Sequence, residues 1–305
     1  MASEWEGTPI RVANVIADAM TKYLDKKATL YFNDFDAEKI DELKENLPAD
    51  TNNFHIEFST GDGNDLLKTL RPKLLRQDGL HYLLFYDPYK AAINWEALAP
   101  YFFGWGEVII NHMDSDTRRA VKSAKRPEAI DKYEQTYLTT VDDLISLHDD
   151  KNAYDGLIKD IIKKLRNMSN RGEYYLAAFP FFIKTNAKIY SIIFFTNNIN
   201  GFKLFKTTAW KIFGGKSSNQ NTHGEEIQQS LFATPPEDKQ CYTVNDIADY
   251  IVDNFKGRSA VPLKEIYDVV DEHPVFPTDG WKPQIKDALK LTGRCKVGRS
   301  TADFA

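Results

Sequence analysis

The chain has only two cysteines in 305 residues, Cys241 and Cys295. That is too few for a disulfide scaffold or a cysteine-built zinc site. Positive charge is not in excess either: 39 Lys and Arg stand against 44 Asp and Glu, for a net of -5. A whole-chain polycation is excluded, although a local basic patch is not. Long apolar runs are also missing. The longest, Tyr174 to Phe182, is about half a membrane span and contains Pro180. Met1 to Glu6 shows no basic region followed by an apolar stretch, so no secretory signal is read there and a reducing cytoplasm is the expected setting. The six histidines show no paired helical spacing, and no metal site is expected. Neither a phosphate-binding Gly-x-x-x-x-Gly-Lys-Ser/Thr loop nor a Gly-x-Ser-x-Gly elbow occurs, which leaves P-loop hydrolysis and elbow-serine chemistry without support.

What is present is core material. Nineteen Phe, 15 Tyr and 5 Trp within 42% hydrophobic residues argue against disorder, and the length suggests two domains. The first 113 residues alternate helix and strand. Thr8 and Pro9 read as the start of a helix, with Thr8 as its N-cap and Ile10, Ala13, Ile16, Ala17 and Met20 on one face. Apolar strands follow at Ala28 to Phe32, Phe54 to Phe58, His81 to Tyr86 and Glu107 to Asn111, separated by helical segments. Continuous apolar strands with helical crossovers predict a parallel sheet covered on both faces. Ligands in such sheets sit beyond the carboxyl ends of the strands. The residues standing there are Asp34, then Gly61-Asp62-Gly63-Asn64, then Asp87-Pro88-Tyr89.

From about 114 to 171 the chain turns polar and helical, which reads as an insertion forming a cap or an oligomer contact. Glu173 to Lys184 and Lys188 to Thr196 predict two long strands joined by a hairpin, and a helix runs from Gly201 through Trp210. Residues 214–240 have the composition of a linker. Residues 241–305 hold three amphipathic helices and a terminal hairpin, the order of a winged helix-turn-helix. The predicted division is therefore 1–213, a linker, and 241–305.

Each candidate residue has a plain alternative. Asp34 is placed to accept from two ribose hydroxyls, or serves as a helix N-terminal carboxylate, a role that Asp36 fills better. Asp62 is placed to bind an adenine amino group with Gly63 admitting close backbone approach, or caps a turn. Asp87-Pro88-Tyr89 follows the strand His81 to Tyr86; in enzymes that methylate exocyclic amines an Asp/Asn-Pro-Pro-aromatic loop follows the fourth strand, and there a polar side chain and an aromatic grip a flipped base. Here Tyr89 and then Lys90 replace a second proline, and the alternative is an Asp-Pro turn. Thr196-Asn197-Asn198 shapes a pocket edge or caps the next helix through Asn198 or Asn200. Lys282, Lys286 and Lys290 share a helix face, with Arg294, Lys296 and Arg299 following. They suit a phosphate backbone, or are a solvated stripe.

Taken together, Gly7-Thr8-Pro9, Asp34-Phe35-Asp36, Gly61-Asp62-Gly63, Asp87-Pro88-Tyr89 and Ile193 to Gly201 leading to Trp210-Lys211 resemble the three-Cys-motif partner (TcmP) family. That resemblance spans most of the chain. It implies a Rossmann-like domain of the class I S-adenosylmethionine methyltransferase type, mostly parallel with an antiparallel C-terminal hairpin, and a winged-helix tail. It also implies S-adenosylmethionine as cofactor near Gly7, Asp34, Asp62 and Gly63, with catalysis near Asp87, Pro88 and Tyr89. The tail would supply nucleic-acid contacts through Lys282, Lys286, Lys290 and Arg294. The implied partner is a three-cysteine-motif protein of the radical-S-adenosylmethionine kind, and no membrane is involved. The alternative is a non-catalytic DNA-binding or adaptor subunit with a vestigial pocket. The family's first strand and glycine-rich turn would precede Gly7 and are not in the sequence. A truncated start is the expected reason, adaptation of the pocket the alternative. Loss of that central strand is expected to leave its two neighbours unpaired, at about 1–3 kcal/mol for each buried backbone group left without a partner.

Overall fold

Apolar residues at helical and strand spacing give the elements their order. In a computed structural model, which describes residues 7–76, 79–88, 92–150, 153–168, 172–183, 187–213 and 242–305, contacts group the chain into two compact units. One comprises 1–77 with 96–98, the other 78–95 with 99–305.

In the first unit, α1 (Thr8–Met20) begins with Gly7 at the N-cap, not Thr8, and carries a proline in its first turn. The Gly7 carbonyl accepts from the Arg11 N–H at 3.2 Å. β1 (Ala28–Asp34) leads to α2 (Ala37–Glu45), β2 (Phe54–Thr60) and α3 (Gly63–Arg76). The two strands pair in parallel, Ala28 against Phe54 through Asp34 against Thr60. Ala13, Ile40, Phe54 and Leu67 are buried, and the Phe32 and Phe58 rings lie 6.2 Å apart. α1 keeps Val12 and Val15 exposed.

The second unit is built on a four-stranded mixed sheet in the order β3-β4-β6-β5. β3 (Tyr82–Tyr86) and β4 (Gly106–His112) are parallel; β6 (Ala187–Thr196) runs antiparallel between β4 and β5 (Tyr175–Ile183). The fold is thus a mixed α/β architecture containing a separate parallel pair. Among the described residues the strands expected in a single sheet fall in two, and β1 and β3 each pair with a strand on one side only. Strand pairing is set by non-local contacts, so alternation of helix and strand did not reveal this break. At Gly106 a Cβ would lie 2.5 Å from the Tyr82 carbonyl oxygen, so the β3–β4 approach requires glycine there.

α4 (Trp95–Leu98), of which 96–98 group with the first unit, precedes β4 in the chain; one face of the second unit's sheet carries the 114–171 helices α5 (Asp114–Ala120), α6 (Pro127–Tyr137), α7 (Val141–Ser146) and α8 (Ala153–Asn167). Tyr133, Tyr137, Tyr154, Ile158, Ile161 and Ile162 of these helices are buried. α9 (Ile199–Phe213) covers the other face, where Phe205 stacks on Phe194 at 4.1 Å.

The C-terminal residues form α10 (Val244–Phe255), β7 (Val261–Pro262), α11 (Leu263–Glu272), α12 (Lys282–Leu291), β8 (Cys295–Val297) and β9 (Thr301–Phe304). Their small sheet has the order β7-β9-β8. The reading of this region as a separate unit did not anticipate that Trp210 of α9 is part of its apolar core, touching Phe276 and Trp281. Lys206 of α9 is also buried there. Its ammonium donates to the carbonyls of Asp271 (2.6 Å), His273 (2.8 Å) and Val270 (3.3 Å), the open C-terminal end of α11. Burial pulls Lys206 down to about 7 against the attraction of Asp271. Residues 214–241, including the expected linker, lie outside the described residues, as does Tyr89. Among the described residues no helix is long and apolar enough to cross a membrane.

Candidate functional site

In the first unit, parallel pairing of β1 with β2 sets their two carboxyl ends side by side. The Gly61 N–H donates to the Asp34 carbonyl at 3.0 Å, and Asn33 links the loops by donating to the Gly61 carbonyl (2.9 Å) and accepting from Ser59 (2.7 Å). Asp34 Oδ1 accepts the Asp36 N–H at 2.9 Å, and Asp36 caps α2 through the Glu38 N–H at 3.0 Å. Asp62 Oδ1 accepts from the Asn64 backbone and side-chain nitrogens at 2.8 and 2.9 Å and heads α3. Asp62 thus performs the turn-capping role that was its alternative, whereas the cap of α2 falls to Asp36 and Asp34 holds the turn before it. Gly61 sits at φ +142°, a conformation that favours glycine, with open space where a side chain would be. A Cβ at Gly63 would lie 3.5 Å from the Asn33 amide nitrogen.

In the second unit, Asp87 stands exposed one residue past β3, and its Oδ1 accepts from the Asn111 amide at 2.8 Å. Asn111 was not singled out from the sequence. The signal was there: an asparagine interrupts the apolar run of β4 at the strand end where ligands bind. The Asn111 amide oxygen is buried without a hydrogen-bond partner. Pro88 is half-buried.

The three carboxylates share a pattern. Each of Asp34, Asp62 and Asp87 engages Oδ1 in a local hydrogen bond, and none of these bonds uses Oδ2. Among the described residues no hydrogen bond engages the second oxygen of any of the three, so each carboxylate keeps an acceptor. In the first unit, the acceptors of Asp34 and Asp62 are of the kind that hydroxyls and amines need, and a side chain at Gly61 would meet open space.

Thr196 and Asn198 act as caps for α9: Thr196 Oγ1 accepts from the Asn198 N–H at 3.0 Å and Asn198 Oδ1 from the Asn200 N–H at 2.8 Å. Asn197 accepts from Arg166 at 2.5 Å and donates to the Gly104 carbonyl at 2.9 Å.

On α12 the basic stripe is largely paired within the fold. Lys290 meets Asp287 at 3.1 Å, Lys282 lies 3.9 Å from Asp279, and Arg294 pairs with Asp249 and, at 3.8 Å, with Asp253. Lys286 makes no ion pair among the described residues.

A polar chain runs through the insertion side of the sheet. His112 Nδ1 lies 2.7 Å from Asp155 Oδ1, and Ser191 donates to Asp155 Oδ2 at 2.6 Å. Tyr137 bridges His112 Nε2 (2.9 Å) and Thr117 (2.7 Å). Burial pushes the Tyr137 hydroxyl well above its ordinary value. All five residues are buried, so this is internal structure. Among the described residues no group of three or more His, Cys, Asp or Glu is arranged for a metal ion. No family model, curated protein or solved structure matches the chain.

Proposed function

We propose that this chain is a Rossmann-like, methyltransferase-type protein that binds S-adenosylmethionine and acts on or with a nucleic-acid or nucleoside substrate, with a winged-helix C-terminal region. One observation carries the reading: in the first unit the parallel pairing of β1 with β2 puts Asp34, the last residue of β1, and Asp62, two residues past β2, at the same end of the pair, and among the described residues each keeps one carboxylate oxygen uncommitted. In this reading Asp34 accepts from ribose hydroxyls and Asp62 from the adenine amine. Asp87, oriented by Asn111, accepts from the methyl acceptor, beside Pro88 and Tyr89. The cofactor's sulfonium supplies an already activated methyl group. The chain's own residues are left the tasks of alignment and exclusion of water, which need no acid-base pair. The resemblance noted above adds a three-cysteine-motif protein as partner.

The second reading, a non-catalytic adaptor or DNA-binding subunit, is favoured by Tyr89 and Lys90 standing where amine methyltransferases have a second proline. Methyl transfer from radiolabelled cofactor separates the two. In complex with the partner, Asp34→Ala and Asp87→Ala are expected to lower turnover by at least about 100-fold, two lost charge-assisted contacts of about 1.5–3 kcal/mol being enough for such losses. No turnover by the wild-type complex, with partner binding retained in both variants, leaves the adaptor reading standing instead.

A further inference from the structure

We propose that Lys206 is a proton-released latch: the C-terminal region docks on α9 as that lysine gives up a proton to solvent, so docking tightens as the solution turns alkaline. The latch needs neither cofactor nor nucleic acid and stands apart from the function given above. It follows from the place of α9 in two cores at once. Phe202, Phe205 and Ala209 pack with the sheet residues Ala177, Phe179 and Phe194, whereas Trp210 enters the core of residues 242–305 against Phe276 and Trp281. Lys206 stands between these contacts on the same helix and is 0% exposed. Its Nζ donates to the carbonyls of Asp271 (2.6 Å), His273 (2.8 Å) and Val270 (3.3 Å). One side chain thus closes the C-terminal end of α11 onto α9.

The surroundings decide which form of the amine is held. Among the described residues the hydrogen bonds of Nζ all go to neutral carbonyls, with the Phe202 ring at 4.6 Å. The buried carboxylate of Asp271 is committed elsewhere: Oδ2 lies 2.6 Å from the Lys203 ammonium, and Oδ1 accepts from Thr278. Asp271 and Asp279 attract the charge, and Lys203 repels it. His273 offers its carbonyl; its ring is neutral, accepts from Val275 and Phe276, and meets Tyr250 of α10 edge-on at 4.7 Å. On the sheet side Tyr175 of β5 stacks on Phe202 at 5.4 Å and donates to Glu173. A buried cation with no carboxylate bound to it loses more hydration than one helix end returns. Burial accordingly brings Lys206 from 10.5 down to about 7. The neutral amine keeps two N–H donors, enough for the two shorter bonds, and gives up only the contact to Val270. Undocked, Lys206 holds its proton up to 10.5; docked, it releases it near 7. Between these values docking expels a proton, and each pH unit strengthens it by up to about tenfold; below pH 7 both states hold the proton and the dependence vanishes.

The test is urea unfolding of the full chain from about pH 7.5 to about pH 9.5, wild type against Lys206→Met. The unfolding constant of the wild type relative to the variant is expected to fall by up to about 100-fold over those two pH units. Methionine keeps the apolar stem and does not titrate, so the comparison cancels the tyrosines and Cys295, which both proteins share. If Lys206→Met fails to fold, Lys206→Gln serves in its place, because its amide donates without titrating. A ratio that stays constant with pH shows that docking exchanges no proton with this lysine and overturns the proposal. A ratio that rises with pH shows that the charged ammonium is the clamp, and overturns it as well.

Discussion

Asp155→Ala is expected to destabilise the protein by about 2–6 kcal/mol, since each of two buried donors left without its acceptor costs about 1–3 kcal/mol. The carboxylate is 3% exposed and accepts from two buried groups, His112 and Ser191. Its loss leaves both without that acceptor and loosens the hold of His112 on Tyr137. The penalty comes from stranded polar groups and not from lost volume, so combining Asp155→Ala with Ser191→Ala is expected to cost clearly less than the sum of the two. Urea unfolding of the two single variants and the double variant checks this. Additive losses would mean that the residues do not act as one network. Asp155→Asn, which keeps the shape, provides a milder variant if the alanine form fails to fold.

Acid is expected to weaken the C-terminal region through His273. Its Nδ1 accepts the N–H groups of Val275 and Phe276, both at 3.1 Å, and its ring stacks on Phe276 at 3.8 Å. That arrangement needs a neutral ring with the proton on Nε2. Burial, and secondarily the Lys206 ammonium, pull its pKa down to about 4 from 6.5. Between these values the unfolded chain binds more protons than the folded one, so stability is complete above pH 6.5 and falls as the pH drops towards 4. The loss by pH 4.5 is at most about 2.5 kcal/mol. His273→Gln does not titrate. The stability difference between wild type and this variant is therefore expected to shrink by that amount between pH 7 and 4.5. A constant difference would contradict a neutral His273.

Local chemistry made most elements readable. Strands appeared where Leu30 to Phe32 and Val108 to Ile110 run together, and α2 where Asp36 precedes an amphipathic stretch and caps it as expected. Long-range pairing was less visible. Nothing local says that β1 and β3 lack a common sheet, or that β6 inserts between β4 and β5. The His112–Asp155–Ser191 chain was hidden for the same reason, since its members are scattered and only the packing of the insertion collects them. A hint was present in Asp155, a carboxylate beside Tyr154 on the buried face of α8. Lys206 escaped notice because a lysine between Phe205 and Thr207 looks like any surface residue until α11 covers it. The candidate carboxylates were readable because they follow apolar strands. Which oxygen each one commits is a matter of loop geometry.

The most direct measurement is calorimetric titration of the folded chain with S-adenosylhomocysteine, wild type against Asp34→Ala. Asp34 makes one exposed turn contact to Asp36, so the substitution should alter stability by no more than about 1 kcal/mol. The same change removes the acceptor for the ribose hydroxyls, and affinity is expected to fall at least about tenfold from a micromolar wild-type value. Binding in the wild type that weakens in Asp34→Ala at unchanged stability is the predicted result. No heat from a folded wild-type sample, or equal affinity in the two proteins, would contradict the cofactor site at the ends of these strands.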